Sequence, residues 1–355
     1  MILGVVSYYL ANISVGVGLH RLWSHASYKA NKVVEFILML LSSGTLQGPV
    51  LAWVSDHKFH HAFADTDRDP HSPLKYKNRI KGFFWAHIGW MLVGDITAKN
   101  IDASTMATLG KNKLLLWQLK NYGLLATLMN TVAPVLFGWT VFGEISVQSS
   151  LAGLFFVGLG RALQQQMTFC VNSLCHTVGS KSYTNDSSRD VWWLFFLLLG
   201  ENWHNFHHAF GKDYRNGHKW YHLDLHKWII ALMGKVGLAK DLVVTSKERI
   251  EAKMMEMKSN KKNELQQALE QVEILAVNLA NLAREKLATA SQNLDNLGHK
   301  AREKFTHLEE AAASLASNIH SMASHPDSLT QRLVKHYRRQ LKSLKKMAEE
   351  VGLVV

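Results

Sequence analysis

Eight histidines in three short runs stand out in this 355-residue chain. His20 and His25 bracket Arg21-Leu22-Trp23-Ser24, His57 leads to His60 and His61, and His204 leads to His207 and His208. A neutral imidazole suits Fe, Zn, Cu or Ni, whereas Ca²⁺ and Mg²⁺ sites are built from oxygen. On a helix, positions i, i+3 and i+4 share a face, so each three-histidine run is expected to aim its rings at one point. The first pair, five residues apart, needs a looser turn. Eight rings exceed what one tetrahedral zinc accepts, and two metal ions are the economical expectation. A lone histidine is usually an ordinary core or surface residue; a spacing repeated twice beside a third cluster is not explained that way.

These runs must be held by elements that put them on one side of a bilayer. Spanning the hydrocarbon takes about 20 helical residues, and apolar runs occupy 1–19, 33–54, 122–142 and 149–171. The second contains Ser42, Ser43, Gly44, Thr45, Gln47, Gly48 and Pro49, a poor lipid-facing composition. If it crossed, the first two histidine runs would face opposite sides. An in-plane helix over 33–54, with spans at 1–19, 122–142 and 149–171, puts every run on one face, expected to be the cytoplasmic one. Arg161 and Gln164 to Gln166 fall inside the last span, so that side should look into protein or a cavity. Segments 79–94, with Trp85 and Trp90, and 190–200, with Trp192 and Trp193, are too short to cross and read as interfacial helices.

Composition divides the chain. All eleven tryptophans lie in 1–244, and 245–355 has none. Residues 1–244 carry 22 basic and 14 acidic side chains, net +8; the tail carries 18 and 14, net +4. This balance suits a membrane protein with a positive cytoplasmic side, and no nucleic-acid-binding motif competes for it. Cys170 and Cys175 are too few for a disulfide framework, and no basic region precedes the first apolar run as in a cleavable signal. In the tail, Leu265, Leu269, Val272, Ala276, Leu279 and Ala283 follow a heptad-like spacing. The tail is expected to be an amphipathic helical extension packing on itself, with self-association by coiled coil or a membrane-surface or docking arm as alternatives. Its histidines lack the spacing of the three runs. The fold class expected is an all-α integral membrane protein, a helical bundle with a cytosolic helical cap holding the histidine site, plus the long helical tail.

The text around the histidines carries more. Ser55-Asp56-His57, the stretch Asp65-Thr66-Asp67-Arg68-Asp69-Pro70-His71, Asn172-Ser173-Leu174-Cys175-His176 and Gly200-Glu201-Asn202-Trp203-His204 resemble, in this order, the membrane-bound fatty-acid desaturases of the acyl-CoA delta-9 (stearoyl) type, in a bacterial version, over about residues 1–244. The resemblance implies a di-iron centre bound by His20, His25, His57, His60, His61, His176, His204, His207 and His208, with Asn172 holding a water at the second iron. Asp56, Asp65, Asp67, Asp69 and Glu201 are the carboxylates available to the rings' other N–H groups. Gln47, Trp53 and Thr168 match the bend of the family's acyl tunnel, and Tyr8 matches its closed end. The implied reaction inserts a cis double bond into a saturated acyl chain carried by CoA, lipid or carrier protein, using O₂ and two external electrons.

An unactivated methylene has no useful acidity, so side chains alone cannot do this and a metal cofactor must. No haem or iron–sulfur cysteine motif is present, so a separate ferredoxin or cytochrome b-type donor is implied, along with a place in a bacterial inner membrane. The same centre could hydroxylate instead, and an inactive membrane scaffold is a third reading. Two departures stand out. The family has a further span ahead of the first histidine run, whereas this sequence starts 19 residues before His20. Gly94-Asp95 and Ser55 stand where basic residues for the CoA phosphates are expected.

Overall fold

The computed structural model describes residues 1–93, 101–292, 299–325 and 328–353. The chain forms two units, Met1–Met254 and Met255–Val355. Every histidine run lies in the first, and the Gly94-Asp95 pair lies outside the described residues.

Helix α1 (Ile2–Ile13) passes directly into a π-helix, Ser14–Ser24. A two-residue strand, β1 (Lys29–Ala30), pairs antiparallel with β2 (Ala239–Lys240), Lys29 opposite Lys240. Asn31 then caps α2 (Lys32–Ser43), its Oδ1 accepting the Val34 N–H at 2.9 Å. Where the sequence suggests one in-plane helix over 33–54, the chain makes two, α2 and α3 (Val50–Phe63). Leu46 (φ 56°) and Gly48 (φ 96°) are left-handed, and Pro49 has no N–H to continue a helix. The amides freed by this break are met by a later helix, α7 (Lys113–Asn130): buried Gln118 accepts from Val50 N–H and donates to Ser43 Oγ, both at 3.0 Å, and the Tyr122 hydroxyl accepts from Gly48 N–H at 3.0 Å. The break turns α3, and with it the second histidine run, away from the line of α2.

The chain continues through α4 (Arg79–Phe84), a π-turn (Trp85–Gly89) and α5 (Trp90–Val93), then α6 (Ala103–Leu109), α7 (Lys113–Asn130), α8 (Val132–Phe142) and α9 (Val147–Ser173). Gly143, at φ 74°, ends α8, and Ser146 Oγ accepts the Ser149 N–H to open α9, so the two helices turn back on each other. They touch through glycines. A Cβ on Gly138 would lie 2.1 Å from Ser149 O, and one on Gly153 2.1 Å from Pro134 O. On its other side α9 meets α1, where a Cβ on Gly160 would lie 2.2 Å from Gly4 O and Ser7 Oγ donates to Val157 O at 2.9 Å. Close approach through small residues is how membrane helices associate without a hydrophobic drive between them.

Two helical segments, Ile2–Ser24 and Lys113–Phe142, are long and apolar enough to cross a membrane. Helix α9, on which the expected span 149–171 falls, turns its polar residues inward: Arg161 donates to Met129 O and Asn130 Oδ1, and Gln165 Nε2 to Thr45 O. Leu10, Leu128, Leu136, Phe155 and Leu159 point outward. In place of a full helix over 190–200 there is a 3₁₀ turn (Trp192–Leu194) and the four-residue α10 (Phe195–Leu198), ended by left-handed Leu199 and Gly200. Helices α11 (His204–Ala209) and α12 (Leu225–Lys235) complete the first unit.

Helix α13 (Lys247–Gln292) leads into the second unit with α14 (His299–Ala323) and α15 (Gln331–Glu350). The heptad-like seam is buried there: Leu269, Val272, Ala276, Leu279 and Ala283 share one core with Leu308, Ala312, Leu315 and Ile319 of α14 and Val334, Leu341 and Leu344 of α15. Arg284–Glu309 (2.7 Å) and His320–Glu273 (3.0 Å) pair α13 with α14 beside it. The seam that could have served self-association is filled by the chain's own helices.

The glycine contacts give a test with opposite signs at neighbouring positions. Gly160→Ala should destabilise by about 1–3 kcal/mol, because backbone blocks the added methyl. Gly158→Ala, with nothing within 4 Å, should be neutral or stabilise by up to ~1 kcal/mol. Thermal unfolding of the purified variants reads both.

Candidate metal centre

The looser turn needed by the first histidine pair is the π-helix. His25 N–H donates to His20 O at 3.1 Å, an i→i+5 bond, so five residues close about one turn and the two rings meet at 4.9 Å between centroids. The second run rides on the last turns of α3, and the third opens α11. The latter helix is started by Asp190, whose Oδ1 accepts the N–H groups of Asn205 (2.8 Å) and Phe206 (3.2 Å).

The rings gather into two sets. His20, His25, His57, His61 and His207 form one; His60, His176, His204 and His208 form the other, with the nitrogens of each set within 4.8 Å of one another. This corrects the expectation that each three-histidine run aims at a single point. Positions i and i+4 lie about 40° apart around a helix and i+3 falls to the other side. His57 and His61 therefore share a set while His60 enters the second, and His204 and His208 share a set while His207 enters the first. Each run bridges both sets.

The contacts inside each set call for a cation. His207 Nε2 lies 2.9 Å from His20 Nε2 and 3.0 Å from His61 Nε2; His204 Nε2 lies 3.0 Å from His176 Nε2 and 3.1 Å from His208 Nε2. A neutral ring nitrogen has either one hydrogen or one lone pair, so neither can serve two such neighbours as an ordinary hydrogen bond. Imidazoles about 2.1 Å from a common metal and at right angles would stand about 3 Å apart. Burial, reinforced by the neighbouring imidazoles, holds His25, His57, His61, His176, His204 and His207 well below the usual histidine range. They stay neutral, the form that offers a lone pair.

The outer nitrogens are anchored. Asp69 Oδ2 takes His60 Nδ1 at 3.0 Å, Asp186 Oδ2 takes His208 Nδ1 at 3.0 Å, and Ser187 Oγ meets His176 Nδ1 at 2.7 Å. Glu201 is the hub of a buried network: Oε2 lies 2.6 Å from His20 Nδ1 and accepts from Asn216 Nδ2, while Oε1 takes Arg21 Nη2 (2.9 Å) and His226 Nδ1 (3.0 Å). Asp224 closes it, 3.0 Å from Arg21. Burial alone would raise the Glu201 carboxyl; His20 and Arg21 more than offset this and hold it well below the usual carboxylate range.

Among the carboxylates expected from the sequence, Asp69 and Glu201 touch histidine rings directly. Asp65, left-handed at φ 67°, instead accepts the Ser187 N–H at 2.5 Å and so steadies the loop behind His176. Asp56 lines a cavity wall and Asp67 is exposed. Asp186, Ser187, Arg21, Asp224 and His226 escaped sequence reading. Asp186 and Ser187 lie in a polar loop with no spacing signal, Asp224 and His226 act from elsewhere in the chain through Glu201, and Arg21, though next to His20, gains its role only from Glu201 and Asp224.

Two cavities share Trp53, His57, Thr168 and Asn172 in their walls. The first runs past His20, His60 and His204 toward Asn12, Val15 and Leu198; the second opens past His71, Trp90 and Met91. At the junction Trp53 Nε1 donates to Gln47 Oε1 (3.1 Å), Gln47 Nε2 reaches Gln164 Oε1 (3.3 Å) and Thr168 Oγ1 (3.4 Å), and Gln164 Nε2 donates to Thr168 (2.7 Å). Gln47, Trp53 and Thr168 are thus one knot, with Gln164 an unanticipated fourth member. Asn172 faces both cavities. Tyr8 donates to Leu197 O at 2.5 Å, and Asn12, one turn on, to the same carbonyl at 2.9 Å, pinning α1 to the segment that carries Leu198.

Comparison with known proteins agrees with this geometry. Residues 1–240 match the family described as fatty acid desaturase. The chain is 34% identical over 244 residues to a probable acyl-CoA desaturase of Schizosaccharomyces pombe, covering 68% of this chain and 48% of the relative; it thus spans about half that protein's length. It is 32% identical to delta-9 acyl-lipid desaturase 1 of Arabidopsis thaliana, covering 69% and 75%, and 34% identical to stearoyl-CoA desaturase 4 of Mus musculus, covering 71% and 70%. Two histidine sets beside adjoining cavities, and a match through the whole first unit but its last turns, make this chain a member of the fatty acid desaturase family.

Proposed function

We propose that the protein is an oxygen-dependent fatty-acyl desaturase placing a cis double bond, at delta-9, in a saturated chain. The carrying observation is the pair of converging histidine sets, His20 and His57 of one and His60 and His204 of the other lining the same cavity. His20, His25, His57, His61 and His207 would hold one iron, and His60, His176, His204 and His208 the other, with Asn172 positioning a water beside the second. The di-iron centre, when bound, supplies the oxidising power that no side chain has. Overall, one methylene pair, one O₂, two electrons and two protons become one alkene and two waters.

The chain's own residues set where this happens. The Gln47–Trp53–Thr168–Gln164 knot bends the cavity, and a saturated chain must kink there, which fixes its register against the two sets. Apolar Val15, Val171 and Leu198 line the deep cavity and exclude water. Asn12 and Tyr8, tied to Leu197, close the deep end. Asp69, Asp186 and Glu201 fix which ring nitrogen is free to bind metal. Electrons come from a ferredoxin or cytochrome b-type protein on the cytoplasmic face, and the apolar outer surface of α1, α7 and α8 sits in lipid.

Three measurements test this. Purified protein should bind two iron ions per chain by elemental analysis. Glu201→Gln should weaken iron retention against a chelator by about 10- to 100-fold, and Gln should leave the side-chain shape in place. Expression in a host lacking its own desaturase but retaining its electron donors should yield a new monoenoic acid by gas chromatography–mass spectrometry, absent with His204→Ala. A hydroxy acid instead, or no product from iron-loaded protein, would refute the reading.

A further inference from the structure

Beyond the histidine sets, the most densely charged exposed stretch of the first unit is Lys75, Lys77, Arg79 and Lys81. No carboxylate among the described residues pairs with any of them. Two are held in place: Lys75 Nζ lies 3.7 Å over the Trp85 ring, and Lys81 Nζ 4.3 Å over the Tyr76 ring. The cations are interleaved with bulky apolar side chains turned to the outside. Leu74 is 60% exposed, Ile80 70%, Phe84 60% and Leu92 71%. A soluble carrier would leave these in water, whereas the lipid interface buries them and offers phosphates to the cations.

This surface leads into the second cavity, the one that opens past His71, Trp90 and Met91. Met91, on the same helical run, is exposed and lines that cavity, as does exposed Leu46. Trp85 Nε1 donates to Pro70 O, and Trp90 packs on His71 at 5.4 Å, so the basic segment is fixed against the cavity wall. The opening therefore has apolar lips and a row of unpaired cations beside it.

We propose that the acyl donor is a membrane phospholipid with an anionic headgroup, its phosphate held by Lys75, Lys77, Arg79 and Lys81 and its chain entering the cavity sideways from the bilayer. This rests on the desaturase reading and assigns its substrate carrier. The test uses the full, iron-loaded chain in lipid nanodiscs with a ferredoxin and its reductase. One disc contains distearoyl phosphatidylglycerol, another distearoyl phosphatidylcholine, and a third has unreactive branched-chain lipid with stearoyl-CoA added.

The expected result is a double bond in the phosphatidylglycerol chains, formed faster than in phosphatidylcholine. The K75E/K77E/R79E/K81E variant should lose that preference. Native mass spectrometry should show the variant also losing retained phosphatidylglycerol, by about fivefold per cation changed, a readout independent of turnover. Turnover of stearoyl-CoA with none of either phospholipid overturns the carrier assignment and leaves the desaturase reading intact. A variant that keeps both the preference and the bound lipid overturns the role of the four cations. No turnover of any donor overturns both readings.

Discussion

The first unit is organised around nine imidazoles that cannot satisfy one another. Packed nitrogen to nitrogen at about 3 Å and largely buried, they cannot all find hydrogen-bond donors. A shared cation resolves this, and much else in the unit serves that resolution. The π-turn brings His20 to His25, the break before α3 redirects the second run, and the loop after His176 folds back to meet His208 and His176. The Glu201 network supplies the compensating negative charge, itself steadied by buried Arg21 and Asp224. Fully satisfied, such a network is rigid; deprived of one member it leaves an uncompensated charge in the interior.

The clustering of the histidines was legible in the sequence because spacing on a helix is a local property. Their division between two sets was less so. It depends on which of two neighbouring points the i+3 ring can reach, and only the placement of α3, α11 and the π-helix around both points decides that. The same limit applies to the anchors. Asp69 and Glu201 sit within a few residues of a histidine run and could be nominated, whereas Asp186 gains its role from a loop closure. The break at 44–49 was visible as a cluster of Ser, Gly and Pro, yet its consequence, two helices at an angle, needed Gln118 and Tyr122 from a helix some seventy residues away. In the tail, periodicity identified the buried seam, but a heptad pattern alone does not say whether the partner helix belongs to the same chain.

The cavity shows how a polar knot can shape an apolar space. Four side chains that could each have been ordinary core or surface residues bond mainly to one another, so the wall they form is stiff. Their hydrogen bonds are satisfied internally, which keeps them from attracting water toward the histidine sets. Sequence position alone placed three of them there by resemblance; Gln164 joins because its helix, α9, presents it one turn before Thr168.

The staple between α7 and the start of α3 has a mechanical side. Helix α7 belongs to a segment long and apolar enough to cross a bilayer, and such segments answer a change in hydrocarbon thickness by tilting. Gln118 and Tyr122 hand any such tilt to the backbone of Gly48 and Val50 through direct hydrogen bonds, with no slack loop between. Two turns further along α3 are His57, His60 and His61. A tilt of α7 would thereby be passed to the start of the helix that carries the second histidine run.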